Sequence, residues 1–232
     1  MENTSATLTE QAVERLASAV LSGELAPGEK LRIGALVQRY ELGPTPIREA
    51  LSRMTTQGLV VAKGGTGFRV TEMSLEDLID IARIRTVIET EALKLSMANG
   101  RDHWEGDVAS SLHRLALVAH RFGADAGETM ESFEAVHKDF HMALISACGS
   151  PRMLDACSVY SDQSFRYRRR FRTMTSRSPE AFVQEHKELA EAVLSRDAPA
   201  ACEKLVMHLD MPVQRMIAAL AAEPKAATAR SS

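Results

Sequence analysis

PGEKLRIGALVQRYELGPTPIREALSRMTTQGLVVAKGGTGFRV, residues Pro27 to Val70, is the stretch that decides the fold. Ile33, Leu36, Val37 and Tyr40 recur at i, i+3, i+4 and i+7, which predicts a short amphipathic helix over 33–40. Glu41-Leu42-Gly43 interrupts it. Gly43 tolerates the backbone angles of a tight turn, and Pro44 and Pro46 suit a first helical turn, whose N–H groups have no helical acceptor to lose. A second helix therefore starts there, with Ile47, Leu51 and Met54 as its inward stripe and Thr45, Arg48 and Ser52 off that stripe. Gly58 ends it. Leu59-Val60-Val61 and Phe68-Arg69-Val70 are β-prone runs separated by Lys63-Gly64-Gly65-Thr66-Gly67, which predicts a hairpin. Two helices joined by a sharp turn and followed by a hairpin outline a winged helix-turn-helix. In such a motif the second helix enters the major groove with its N-terminal residues toward base edges, where Thr45 and Arg48 stand.

Outward from this stretch, Thr7-x-x-Glu10 is a capping box that opens a first helix running to about Gly23. Beyond the hairpin, Ser74 caps a long helix in which Leu75, Leu78, Ile81, Ile84, Ile88 and Leu95 keep helical spacing to about Asn99. Breaks at Asn99-Gly100, Gly123 to Gly127, Gly149-Ser150-Pro151 and Ser178-Pro179 divide the rest into further helices, and Asp197-Ala198-Pro199 starts the last. No strand pattern returns. The expected fold is mainly α: a winged helix-turn-helix over 1–72, an all-helical bundle over 74–221, and a disordered tail over 222–232, whose apolar content is too low to pack.

Composition excludes some classes. The 232-residue chain is 45% hydrophobic with a formal net charge of −3, so any attraction to phosphate must come from a local patch. Between Lys30 and Arg69 that patch exists: Lys30, Arg32, Arg39, Arg48, Arg53, Lys63 and Arg69 face only Glu41 and Glu49. The cysteines, Cys148, Cys157 and Cys202, form no CxxC pair, which fits reduced thiols in a cytoplasmic protein. The polar N-terminus and the lack of a long apolar run argue against secretion and membrane insertion.

Histidines carry the chemistry of the second half. His137 and His141 lie four apart and project from one face of a helix, a common way to seat a transition metal. His186 and His208 sit near the middles of the last two helices, where a bundle core would bring all four together. Spacing alone favours four unrelated helical histidines, since only the i, i+4 pair is locally suggestive. A hydrolase or lyase that activates water at such a site would need a general base, and Glu134, one turn before His137, is the candidate.

The motifs support a resemblance. Pro27-Gly28, Leu31, Leu36, then Thr45-Pro46-Ile47-Arg48-Glu49-Ala50-Leu51, then Gly58-Leu59-Val60, then Phe68 and Val70 match in order the DNA-binding pattern of the GntR family of bacterial regulators. That resemblance implies a double-stranded DNA operator contacted by Arg32, Thr45 and Arg48, with Gly65 or Gly67 of the wing near the minor groove. The family's Ser-Arg before Thr-Pro is Gly43-Pro44 here, so its base preferences are not carried over. Residues from about Ser74 to Leu220 resemble the FCD effector domain, through Phe140-His141, His186 with Leu189 and Val193, and His208-Leu209. Where that domain has an aspartate, this chain has His137; Asp139, on the opposite helical face, is a poor substitute. The resemblance implies a divalent metal held by His137, His141, His186 and His208, or by three of them with His137 in support. An all-nitrogen set favours Zn or Ni. Further details, the run Arg101 to Val108 and Cys148-Gly149-Ser150, are similar to repressors within the family that govern use of small dicarboxylates. They imply a homodimeric repressor released by a carboxylate such as glutarate, with Arg85 and members of the cluster Arg166, Arg168, Arg169 and Arg170 as its anchors. A regulator for which the metal itself is the signal is the alternative.

Overall fold

The computed structural model describes residues 7–64, 67–124, 127–170 and 178–222. Its first helix, α1 (Leu8–Leu21), opens on the capping box: the Thr7 hydroxyl accepts from the Glu10 N–H while the Glu10 carboxylate accepts from the Thr7 N–H. A two-residue strand, β1 (Lys30–Leu31), precedes α2 (Ile33–Tyr40) and α3 (Pro44–Thr56). The hairpin follows as β2 (Val60–Lys63) and β3 (Gly67–Val70).

The turn between α2 and α3 differs from expectation in one residue. Gly43 is extended, with φ −62 and ψ 160, and serves as the N-cap of α3; the left-handed residue is Glu41, at φ 55. Pro44 and Pro46 then begin α3 as expected. The hairpin also gains a third strand that two residues of sequence did not announce. All pairs are antiparallel in the order β1-β3-β2, with Leu31 opposite Phe68 and Ala62 opposite Phe68 on the other edge. Gly67, at φ +92, turns the chain into β3, a conformation few other residues adopt. Gly65 lies outside the described residues.

Leu16 of α1, Leu36 of α2, Ile47, Leu51 and Met54 of α3, and Val60 and Val70 of the sheet close one core. Full burial of a side chain such as Leu51 contributes about 1.5–3 kcal/mol.

The second core is built by helices: α4 (Leu75–Asn99), α5 (Asp102–Gly123), α6 (Met130–Ile145), α7 (Pro151–Arg170), α8 (Pro179–Leu194) and α9 (Ala198–Ala222). Leu93, Leu115, Phe133, Phe140 and Leu189 fill it, and Trp104 reaches from α5 to donate to the Ala143 carbonyl at 2.9 Å. A smaller cluster of Leu78, Ile81, Tyr167, Val213 and Met216 joins α4, α7 and α9. The cysteines Cys148, Cys157 and Cys202 are free thiols. No described helix is long and apolar enough to cross a membrane. Of the tail expected over 222–232, Ala222 ends α9 and the rest lies outside the described residues.

Candidate metal centre and reading head

The bundle brings the four histidines to one point. His137 and His141 come from α6, His186 from α8 and His208 from α9, and one ring nitrogen of each lies within 4.8 Å of the others. His137 Nε2 is 3.0 Å from His186 Nε2 and 3.1 Å from His141 Nε2. Two of the rings have a fixed tautomer. His186 Nδ1 donates to the Phe182 carbonyl at 2.8 Å, and His208 Nδ1 to the Glu185 carboxylate at 2.6 Å, so each Nε2 presents a bare lone pair to the centre. Ring nitrogens at this spacing either share a proton or face one cation, and bonds of about 2.1 Å to one ion set ligand nitrogens at such separations. Outer partners of this kind also hold metal-binding imidazoles in place.

Electrostatics agree with a ligand role. Burial above all holds the His137 pKa well below the ordinary histidine value, with His186 and Arg168 adding to it. His141 is lowered by burial first and then by His208 and His137. Both are therefore neutral imidazoles near pH 7, the form that binds metal. The Nδ1 atoms of His137 and His141 are buried without a hydrogen-bond partner. Glu134 Oε2 comes to 3.6 Å from His137 Nδ1, too long for a hydrogen bond. The residues present thus fit a transition-metal ion.

Beside the histidines is a chamber of about 40 Å³ lined by Arg85, Lys138, Ser161, Arg168, Pro212 and Arg215 among others. Each of its two most buried cations has a carboxylate. Arg85 Nε donates to Glu89 at 2.6 Å, and Arg168 meets Glu134 through two bonds, at 3.1 Å and 2.6 Å. Lys138 pairs with Asp162 at 2.6 Å. Pro212 lies inside α9 and cannot give the helical bond to the His208 carbonyl, one turn back. Of the anchors expected from sequence, Arg85 and Arg168 line the chamber. Arg166 does not: it is buried between the two cores, where it donates to the Thr71 carbonyl. Arg169 pairs with Glu131, and Arg170 lines a separate cleft with Arg166. The sequence reading missed Lys138 and Arg215, whose only prior signal was position, one residue after His137 and one turn after Met211.

At the other end of the molecule Thr45 and Arg48 are exposed on the first turns of α3, Arg32 is exposed as the N-cap of α2, and Gly67 is exposed at the wing. Glu49, beside Arg48, is engaged from behind by the Thr9 hydroxyl at 2.8 Å. Arg69, counted in the basic patch, instead donates to the Gly28 carbonyl at 3.0 Å.

Comparison with known proteins gives two family matches. Residues 80–211 match the FCD domain, more than half of the chain, and residues 8–70 match the bacterial regulatory proteins of the gntR family. The chain belongs to the GntR family, in its FCD-containing branch. This GntR regulator is 39% identical to the HTH-type transcriptional regulator BphR of Paraburkholderia xenovorans over 89% of its own length and 84% of that protein's. It is 35% identical to the HTH-type transcriptional repressor GlaR of Escherichia coli, over 84% of its length and 89% of GlaR's. Its fold is that of the Escherichia coli protein McbR/YncC, with a TM-score of 0.72 at 21% identity, covering 94% of this chain and 98% of that one. The protein is thus a DNA-binding transcriptional regulator with a helical effector domain and not an enzyme, which closes the hydrolase reading of Glu134. In place of a general base, Glu134 is the counter-ion of Arg168.

Proposed function

We propose that this GntR regulator is a cytoplasmic, homodimeric repressor that leaves its operator when a small carboxylate binds beside a metal in the helical domain. The observation that carries the reading is the chamber in which histidine nitrogens and arginines converge. His137, His141, His186 and His208 would hold a Zn or Ni ion, which would supply a Lewis-acidic seat for one carboxylate oxygen. Arg85 and Arg168 would then take the remaining charge of the ligand; two cationic groups beyond the metal suit a dicarboxylate such as glutarate. Arg166, placed between the cores, is assigned to interdomain contact and not to the ligand. The similarity to a protein described as a repressor favours repression.

Residues 1–72 form the reading head and 74–221 the regulatory unit in this scheme. Arg48 and Thr45 would face base edges, Arg32 and the wing at Gly65 and Gly67 the phosphates and the minor groove. A two-fold dimer places two such helices about one turn of DNA apart, so the operator is an approximate inverted repeat.

The test begins with metal analysis of protein purified without a histidine tag, expected to give one Zn or Ni per chain. A duplex selected by the protein from random sequence is then titrated with metal-loaded protein, with and without glutarate. Loss of affinity with glutarate is the expected result. Indifference to glutarate, succinate and shorter dicarboxylates alike would sink the effector reading, and a response to metal alone would replace it with metal sensing.

A further inference from the structure

Helix α7 faces two ways. On one side Ser161 and Arg168 line the histidine chamber, and Arg168 also donates to the Ser164 hydroxyl at 3.0 Å. On the other side Gln163 Nε2 donates to the Gln57 carbonyl at 2.8 Å, Arg166 donates to the Thr71 carbonyl, and the Tyr167 hydroxyl accepts from the Ser74 N–H at 3.1 Å. Each of these contacts falls at a joint of the reading head. Gln57 caps the C-terminal end of the recognition helix α3, Thr71 follows the wing, and Ser74 caps α4.

The bond at Gln57 has a chemical reason and little slack. The last carbonyls of a helix lack intrahelical donors, and the Gln163 amide supplies one across a sequence separation of 106 residues. A Cβ built on Gly58 would stand 2.5 Å from Gln163 Nε2, and the backbone there has φ +69. Glycine at 58 therefore both ends α3 and lets α7 approach.

We propose that Gln163 is a positioning residue for DNA recognition: it fixes the C-terminal end of α3 to α7, and through it movement of the chamber wall reaches the recognition helix. The second half of this inference rests on the effector reading above. Arg168 of α7 lines the chamber and is held there by the Glu134 carboxylate, so a ligand carboxylate that takes Arg168 loosens α7 from α6. The walls α6, α8 and α9 are tied together by the four histidines. Helix α7 carries none of them; it is tied to the α6 wall by the Arg168–Glu134 and Lys138–Asp162 pairs, for whose cations a ligand carboxylate competes directly.

The test uses full-length, metal-loaded protein and two variants. Gln163→Glu keeps the shape but removes the donor, and Gln163→Lys keeps a donor. Hydrogen exchange is followed at the Gly58 and Leu59 amides, which close the last turn on the Thr55 and Met54 carbonyls. In Gln163→Glu these amides should exchange roughly three- to tenfold faster, the value of one hydrogen bond, with bundle amides and melting temperature unchanged and with rescue in Gln163→Lys. Unchanged exchange overturns the positioning role whatever the effector turns out to be.

Transmission is read from operator affinity with and without glutarate. Coupling between sites commonly amounts to about 5–150-fold, and in Gln163→Glu the ratio should fall to within about twofold of one while calorimetry shows glutarate still binding. A wild-type ratio in that variant overturns transmission and leaves the effector reading standing. If the wild-type protein ignores every carboxylate, the effector reading and transmission fall together, and exchange alone decides the role of Gln163.

Discussion

The reading head and the helical bundle use the same cation in opposite settings. Arg32, Arg48 and Arg53 of the head are exposed on its surface, whereas Arg85 and Arg168 of the bundle are 4% and 8% exposed and each is joined to a carboxylate. An exposed arginine acts at a distance, is weakened by salt, and costs the fold little when removed. A buried pair is hardly screened, and loss of one partner strands the other charge in a dry interior. The difference teaches that the head is built to attract a polyanion, while on the effector reading the bundle would admit one small anion only in exchange for a pair it already holds.

Four experiments can break or sharpen this contrast. The largest effect is expected for Glu134→Ala, which leaves Arg168 buried without its carboxylate; urea unfolding should show a loss of about 3–5 kcal/mol. A loss below about 1 kcal/mol would mean the bundle tolerates its charges as the surface does. Next, His208→Ala should lower metal affinity on the order of 100-fold or more, since outer partners alone are worth about 10–100-fold; competition with a chelator measures it, and wild-type retention would remove His208 from the ligand set. Arg48→Ala should weaken binding to a selected duplex by about 1–3 kcal/mol with no change in unfolding, and undiminished specific binding would mean that α3 does not read DNA as placed.

The smallest effect concerns pH. His137 and His141 titrate in the unfolded chain near 6.5 but are held neutral by burial in the fold. The unfolded state therefore binds more protons below about pH 6.5, so the stability these residues permit is present above that pH and is lost progressively as pH falls below it. The head contains no histidine and should lack this step. Hydrogen exchange on metal-free, full-length protein at pH 7.5 and 5.5 separates the two regions, and equal weakening of both would defeat the distinction.

What was readable from sequence follows the range of the interactions. The helix-turn-helix was legible because its signals are local: the stripe of Ile47, Leu51 and Met54, the prolines at the start of α3 and the glycine after it all act within a few residues. The histidine pair on α6 was legible for the same reason, and the other two were reached through family pattern. Strand β1 was missed because two residues carry no periodicity, and its pairing with β3 depends on a partner 39 residues away. The turn before α3 was assigned to Gly43 when Glu41 takes the left-handed angles, since a single turn residue can be displaced by two without altering the apolar stripe. Arg166 was grouped with Arg168 by adjacency, yet neighbouring residues on a helix point about 100° apart, and one faces Thr71 while the other faces Glu134. Gln163 gave no signal at all, because its meaning lies in a carbonyl 106 residues away along the chain.

The paired cations of the chamber set a threshold. On the effector reading, parting them is work done by the ligand before any net binding appears, and each 1.4 kcal/mol of that work raises the concentration needed by about tenfold. The resting protein is then committed to its operator by default, and a scarce metabolite passes unnoticed until its abundance exceeds what the bundle charges for admission. Side chains such as Ser161 and Lys138, which touch neither DNA nor the histidine nitrogens, would tune how much of a nutrient counts as enough.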